Sequence, residues 1–247
     1  MWIDAHNHLQ DAALGESAME LESLSDTVAV ANGTSEADWA RVRTLAERCS
    51  WVVPAFGLHP WFIEQRSSDW KIRLQDYLSL PGASVGEIGL DRQIENVNVA
   101  VQEEIFRWQL DLAAERNIPV SIHCVKAFGR LADILRSSPW PQNGFLLHSY
   151  SGSIEMGREL AAMGAYFSYS TRFLEKRHFA RRDVFRQLPL DRILAETDAA
   201  AHVWNPEAVI TCYRSLADTR EIDVDALSVV VQTNFKRLFG DSTGTRS

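Results

Sequence analysis

The chain has 247 residues, 46% hydrophobic and 23% charged, a balance that excludes a disordered protein and suits one with a sizeable buried core. Its formal net charge of −8 argues against tight, nonspecific binding of long nucleic acid through a basic surface, but leaves room for a local site where bound cations supply positive charge. No run of about 18 apolar residues predicts a membrane span, and Cys49, Cys124 and Cys212, odd in number and widely spaced, suit reduced thiols in a cytoplasmic protein with no signal-peptide pattern before His6.

Eight short β-type runs follow one another along the chain. The first, WIDAHNHL, places His6 and His8 on one face of an extended strand, with Ile3, Ala5, Asn7 and Leu9 on the other. Two imidazoles facing one space suit a divalent metal, although taken alone they read equally well as surface or hydrogen-bonded histidines. TVAVANG, WVVPAFGLHP and SVGEIGLD come next. The spacing of Ile105, Trp108 and Leu112 predicts a helix over 101–117, stopped by Asn117 and Pro119. PVSIHCV, FLLHSY, AYFSYS and RILAETDA complete the strands. A last helix over 224–239 carries Leu227, Val231, Phe235 and Leu238 on one stripe and leaves Asp225 and Lys236 in water.

Strands alternating with amphipathic stretches predict a parallel sheet with right-handed crossovers. Eight such units in this length predict an α/β fold, a single-domain (β/α)8 TIM barrel over residues 1–240, with a small polar tail at 241–247 that frays. No glycine-rich dinucleotide fingerprint is present.

The unusual polar residues, His6, His8, His59, Glu87, His123, His148 and Asp198, all fall late in strands, and in such a barrel those ends converge on one face. Singly, His123 and His148 read more readily as satisfied core histidines. Glu87 and Asp198 are harder to place that way, since burying a carboxylate costs several kcal/mol unless it is paired, hydrogen-bonded or metal-bound. Four histidines and two carboxylates exceed what one open catalytic ion needs. Two ions sharing a carboxylate would use them all, clamp a phosphodiester from both sides and activate water, so hydrolysis is the natural chemistry. Cys124, adjacent to His123 and so on the opposite face, is read as packing. Lys126, Arg92 and Arg172 follow strand ends, where they are placed to meet an anionic substrate, although solvated loop charges are commoner.

The ordered set IDAHNHL, GLHPWF, VGEIGLDR, QLDLAAERNIPVSIHC, LLHSYSG, LPLDRILAETD and NFKRLF resembles the TatD family of metal-dependent hydrolases, within the amidohydrolase-like group of barrels, nearly end to end. The resemblance implies two divalent ions, magnesium, manganese or zinc. It implies that His6, His8 and Asp198 hold one, that His123 and His148 hold the other, and that Glu87 bridges them. It also implies that Asp198 acts as general base toward the attacking water and that His59 lies near the substrate. The implied substrates are DNA ends, oligonucleotides or small phosphodiesters, with no membrane and no obligate protein partner. Two departures touch the substrate lip: Arg92 stands where an aromatic is common, and AETDAAAHVWNPEAV runs quickly into the next helix without the usual proline and longer loop. The short loop predicts a preference for small substrates. Hydrolysis of a small ester or cyclic amide is a competing reading, as is a noncatalytic metal-binding scaffold.

Overall fold

A computed structural model describes residues 1–10, 26–94, 98–200 and 204–240. Eight strands, β1 (Trp2–Asn7), β2 (Thr27–Asn32), β3 (Val52–Phe56), β4 (Ser84–Asp91), β5 (Val120–Val125), β6 (Phe145–Leu147), β7 (Ala165–Ser170) and β8 (Ile193–Glu196), lie side by side in chain order. Each is parallel to the next. Just past β8 the chain returns to β1: Asp198 N–H donates to His6 O at 3.0 Å and His8 N–H to Ala199 O at 2.9 Å. The sheet is thereby drawn into the expected barrel.

Among the described residues eight helices cover it: α1 (Trp39–Arg48), α2 (Trp70–Tyr77), α3 (Val99–Arg116), α4 (Phe128–Ser137), α5 (Ile154–Ala162), α6 (Ala180–Gln187), α7 (Pro206–Arg220) and α8 (Val224–Phe239). The last matches its expected range. The helix expected at 101–117 starts two residues earlier, because the Asn98 side chain accepts from the N–H groups of Ala100 and Val101 and so caps the first turn. Asn117 closes it in the left-handed conformation at φ 49°. The crossover after β1 (11–25), the tail at 241–247 and part of the short loop after Asp198 (201–203) lie outside the described residues.

α3 does more than cover the sheet. Its buried Gln102 and Gln109, two turns apart on one face, each pair both ways with a strand-end backbone. Gln109 accepts from Leu58 N–H at 2.7 Å and donates to Leu58 O at 3.2 Å; Gln102 does the same for Asp91 at 3.0 Å and 3.0 Å. The segment carrying His59 and the end of β4 are therefore held from behind by buried amides whose loss would leave backbone groups unsatisfied. Asp4, fully buried, ties β1 to the end of β8: it accepts from Thr197 N–H at 2.8 Å, Thr197 Oγ1 at 2.7 Å and Trp204 Nε1 at 2.7 Å. Burial pushes the Asp4 carboxyl up to about 7 against those three hydrogen bonds.

Gly89 pairs with His123 across β4 and β5 at φ +155°, and a Cβ there would stand 1.9 Å from the His123 carbonyl oxygen. That neighbour is backbone and cannot swing aside. Gly89→Ala is therefore expected to destabilise the fold by about 3 kcal/mol or more, read as a lowered urea midpoint at unchanged m-value.

Candidate metal centre

Glu87, in the middle of β4 and 3% exposed, is the point on which the predicted residues converge. Its Oε2 lies 3.5 Å from Nε2 of both His6 and His8. Its Oε1 lies 2.7 Å from His148 Nε2, 2.8 Å from His123 Nδ1 and 3.4 Å from His59 Nε2. The two oxygens thus face two separate histidine groups. Asp198, two residues past β8, sits at the margin of the first, its Oδ1 3.7 Å from His8 Nε2 and 4.0 Å from His6 Nε2. Among the described residues, ligand atoms fall within 4.8 Å of one another in three groups: His6, His8 and Glu87; His59, Glu87 and His123; and His6, His148 and Glu196. His59 therefore stands closer to Glu87 than a purely substrate-facing role requires, and His148, stacked on His6 at 3.9 Å between ring centroids, is shared between the groups.

The backbone aims these side chains by unusual means. Lys126, Ser149 and Asp198, directly past or near the ends of β5, β6 and β8, all have positive φ (52°, 47° and 53°) and all line the cleft above Glu87. Non-glycine residues in this conformation carry local strain, and such strain gathers where a side chain or loop must be aimed.

Hydrogen bonds behind the rings decide which nitrogen looks inward. His8 Nδ1 lies 2.9 Å from the Asn32 carbonyl, which only accepts, so Nδ1 carries a proton and Nε2 is the nitrogen turned toward Glu87 and Asp198. His123 lies between two carboxylates, its Nε2 3.2 Å from Asp91 Oδ2 and its Nδ1 2.8 Å from Glu87 Oε1, which fixes the ring from both sides. His6 has Nδ1 2.9 Å from Ser121 Oγ, and its buried Nε2 makes no hydrogen bond.

The charges agree with a site built for cations. Burial, with the neighbouring His148 adding to it, pushes His6 down to about 3, so that ring is neutral, and burial lowers His59 as well. Burial acts to raise Glu87, but His148, His59 and the hydrogen bonds from His123 and His148 outweigh it and hold the carboxyl well below its ordinary range. Burial would likewise lower His148, yet Glu87 and Glu196 lift it well above the usual imidazole value; Asp91 and Glu87 lift His123 against the same burial effect. Five imidazoles around one ionised, buried glutamate, with an orphaned ring nitrogen on His6 and Nε2 of His8 turned inward, are a nitrogen and oxygen donor set that fits divalent metal.

Three supporting carboxylates were not singled out from the sequence. Asp91 accepts from Trp61 Nε1 at 2.8 Å as well as facing His123, and although burial would raise it, those two hydrogen bonds keep it at about 2. Glu196 accepts from Ser168 and stands 3.7 Å from His148 Nδ1; Asp4 is the tie described above. Each lies two or four residues from a singled-out residue (Asp4 and His6, Glu87 and Asp91, Glu196 and Asp198), so the strand period was the available signal.

A cleft of about 1010 Å³ opens over Glu87. Lys126 and Arg172 line it, as their positions after β5 and β7 suggested, whereas Arg92 does not. Cys124, expected to face away from His123, borders the cleft as well; it is buried, and that burial pushes its thiol up to about 12, which keeps it protonated.

The family described as TatD related DNase matches residues 3–240. YabD of Bacillus subtilis strain 168, named an uncharacterized metal-dependent hydrolase, is 27% identical over 254 residues that cover 97% of this chain and 99% of its own. A protein of Cronobacter turicensis named 3′-5′ ssDNA/RNA exonuclease TatD is 33% identical over 171 residues, 68% of this chain and 64% of its own. The crystal structure of YjjV, a TatD homolog from Escherichia coli K12, matches with a TM-score of 0.86 at 27% identity, covering 96% of this chain and 97% of that one. With the whole barrel and its glutamate-centred histidines inside the matched span, the chain belongs to the TatD family of metal-dependent hydrolases.

Proposed function

We propose that the chain is a two-metal phosphodiesterase that acts on DNA ends, short oligonucleotides or small phosphodiesters. The observation that carries the reading is Glu87, whose two oxygens face two different histidine groups, the arrangement a bridging carboxylate needs. In this reading His6, His8 and Asp198 hold one divalent ion (magnesium, manganese or zinc), His123 and His148 hold the other, and Glu87 serves both. When bound, the ions supply Lewis acidity toward the phosphoryl oxygens and lower the pKa of water.

The chain's own residues supply the rest. Asp91, Ser121 and the Asn32 carbonyl fix the rings of His123, His6 and His8, so the ligand atoms need not reorganise. Asp198, which lines the cleft, takes the proton of the attacking water as the water oxygen bonds to phosphorus; the bond from phosphorus to the leaving oxygen breaks, and the proton held on Asp198 passes to that oxygen, which departs as an alcohol. His59, held through its backbone by the Gln109 clamp on Leu58, orients the substrate beside Glu87. The exonuclease name of the Cronobacter relative and the cationic side chains in the cleft wall support a phosphate substrate over a carbonyl one. The acidic body of the protein favours short strands and free ends over long duplex. Three buried, widely spaced cysteines suit a reducing, cytoplasmic setting, and no helix among the described residues is long and apolar enough to cross a membrane.

Metal analysis joined to a substrate panel tests this reading. Reconstituted protein is expected to hold up to two ions per chain and to hydrolyse a dinucleotide and a single strand, with lower kcat/KM on duplex and loss of turnover in chelator. Saturation below two ions with the fold intact overturns the bridging assignment. Turnover confined to carbonyl esters or cyclic amides overturns the phosphodiester reading, and metal binding without turnover on any substrate points to a scaffold.

A further inference from the structure

The floor and the rim of the cleft carry opposite chemistry. The floor is carboxylate and imidazole, whereas Arg172, His178 and Arg181 line the rim on the side of β7, with Lys126 beside them after β5. Residues 171–182 hold five lysines and arginines against one acid, Glu175, in a chain whose net charge is −8. Among the described residues the half-exposed Arg172 pairs with one carboxylate, Asp198 at 3.7 Å, and no carboxylate pairs with Arg181. An ion pair at that distance on an exposed side chain is weak, so an incoming phosphate can compete for the Arg172 guanidinium.

Trp61 lines the same cleft after β3. It is 57% exposed, a large apolar surface to leave in water, yet it is not loose: its N–H is fixed on Asp91 at 2.8 Å and its ring stands edge-on to His59 at 5.1 Å. β3 and β7 are four strands apart in a ring of eight, so Trp61 and the arginines stand on opposite sides of the mouth. Strand spacing and tilt put those sides about 15 Å apart. Glu87, on β4, faces the space between them.

We propose that Trp61 and the pair Arg172 and Arg181 form a two-ended clamp for single-stranded oligonucleotide, Trp61 stacking on a base and the arginines holding phosphate across the mouth. The clamp takes its orientation about Glu87 from the phosphodiesterase reading. It selects strands whose bases are already unstacked and free to swing onto an aromatic face, and it gives no grip to a simple diester that lacks a base.

Calorimetric titration of the full chain in chelator with a thymidine trinucleotide, and with the abasic trimer of equal charge, tests the clamp without turnover. Trp61→Ala is expected to weaken trinucleotide binding about tenfold and to leave the abasic trimer bound as weakly as before. Trp61→Phe, which keeps a ring and loses the N–H to Asp91, is expected to restore most of the affinity. Arg172→Gln with Arg181→Gln is expected to weaken binding of both trimers and to flatten the dependence of log affinity on log salt. No saturable binding by the unsubstituted chain, equal affinity for the two trimers, or an unchanged salt slope overturns the clamp. Binding with the expected pattern by a chain that hydrolyses only carbonyl substrates keeps the clamp and removes the phosphodiesterase reading.

Discussion

Glu87→Gln is expected to empty the metal centre: metal content of reconstituted protein falls below one ion per chain, and turnover drops more than about 100-fold. Removing even a group that merely orients a ligand costs metal sites roughly 10–100-fold in affinity or activity, and Glu87 faces both histidine groups directly. Glutamine keeps the shape but donates where Glu87 only accepts, so its amide N–H groups point at ring nitrogens already placed to bind cations. The substitution also removes the buried negative charge that offsets His148 and His123 in the metal-free chain. Elemental analysis of the dialysed variant, beside its thermal melt, separates the possibilities. A lower melting temperature with metal content untouched would show a buried structural acid, and the bridging role would be withdrawn.

That these side chains gather at one place was legible in the sequence. The period of two in IDAHNHL puts both histidines on one face, and carboxylates inside apolar runs, as in SVGEIGL and ILAETDA, have few inexpensive places to go. The alternation of strand and helix then brings distant strand ends together, because a parallel barrel has only one C-terminal rim. What the sequence concealed was the order of approach. His59 and His148 both lie within reach of one Glu87 oxygen, and no spacing rule separates a ring that faces substrate from one that faces the carboxylate.

The supporting groups were concealed for a different reason. Asp4, Asp91 and Glu196 follow the same strand period as their neighbours, but their partners are supplied by other parts of the chain: Thr197 and Trp204 for Asp4, Trp61 for Asp91, Ser168 for Glu196. Gln102 and Gln109 look like ordinary polar residues of an amphipathic helix. Their burial follows only once α3 is seen to lie over strand ends whose backbone groups need partners. Side chains that satisfy a neighbour's backbone are set by tertiary geometry, and a single sequence does not contain that geometry in any local pattern.

Asp198→Asn is expected to lower turnover about 10³-fold while leaving the fold within about 1 kcal/mol of the unsubstituted chain. The backbone argument favours an intact fold: Asp198 sits at φ 53°, a conformation asparagine tolerates as well as any non-glycine residue, and its N–H bond to His6 O does not involve the side chain. The ion pair lost with Arg172 joins Asp198 to an exposed guanidinium at 3.7 Å and contributes little to stability. The chemistry argument runs the other way. An amide neither accepts a proton from water at neutral pH nor offers negative charge to a cation held by His6 and His8, so both roles proposed for Asp198 are removed together. His6, His8 and Glu87 remain, and partial metal occupancy is therefore expected to survive at high metal concentration. Kinetics at saturating metal, with a urea melt on the same preparation, give the decisive pair of numbers. Loss of rate at full occupancy assigns the proton transfer to Asp198; a rate that recovers as metal is raised assigns it to ligation alone; and a near unsubstituted rate at all metal concentrations refutes both roles.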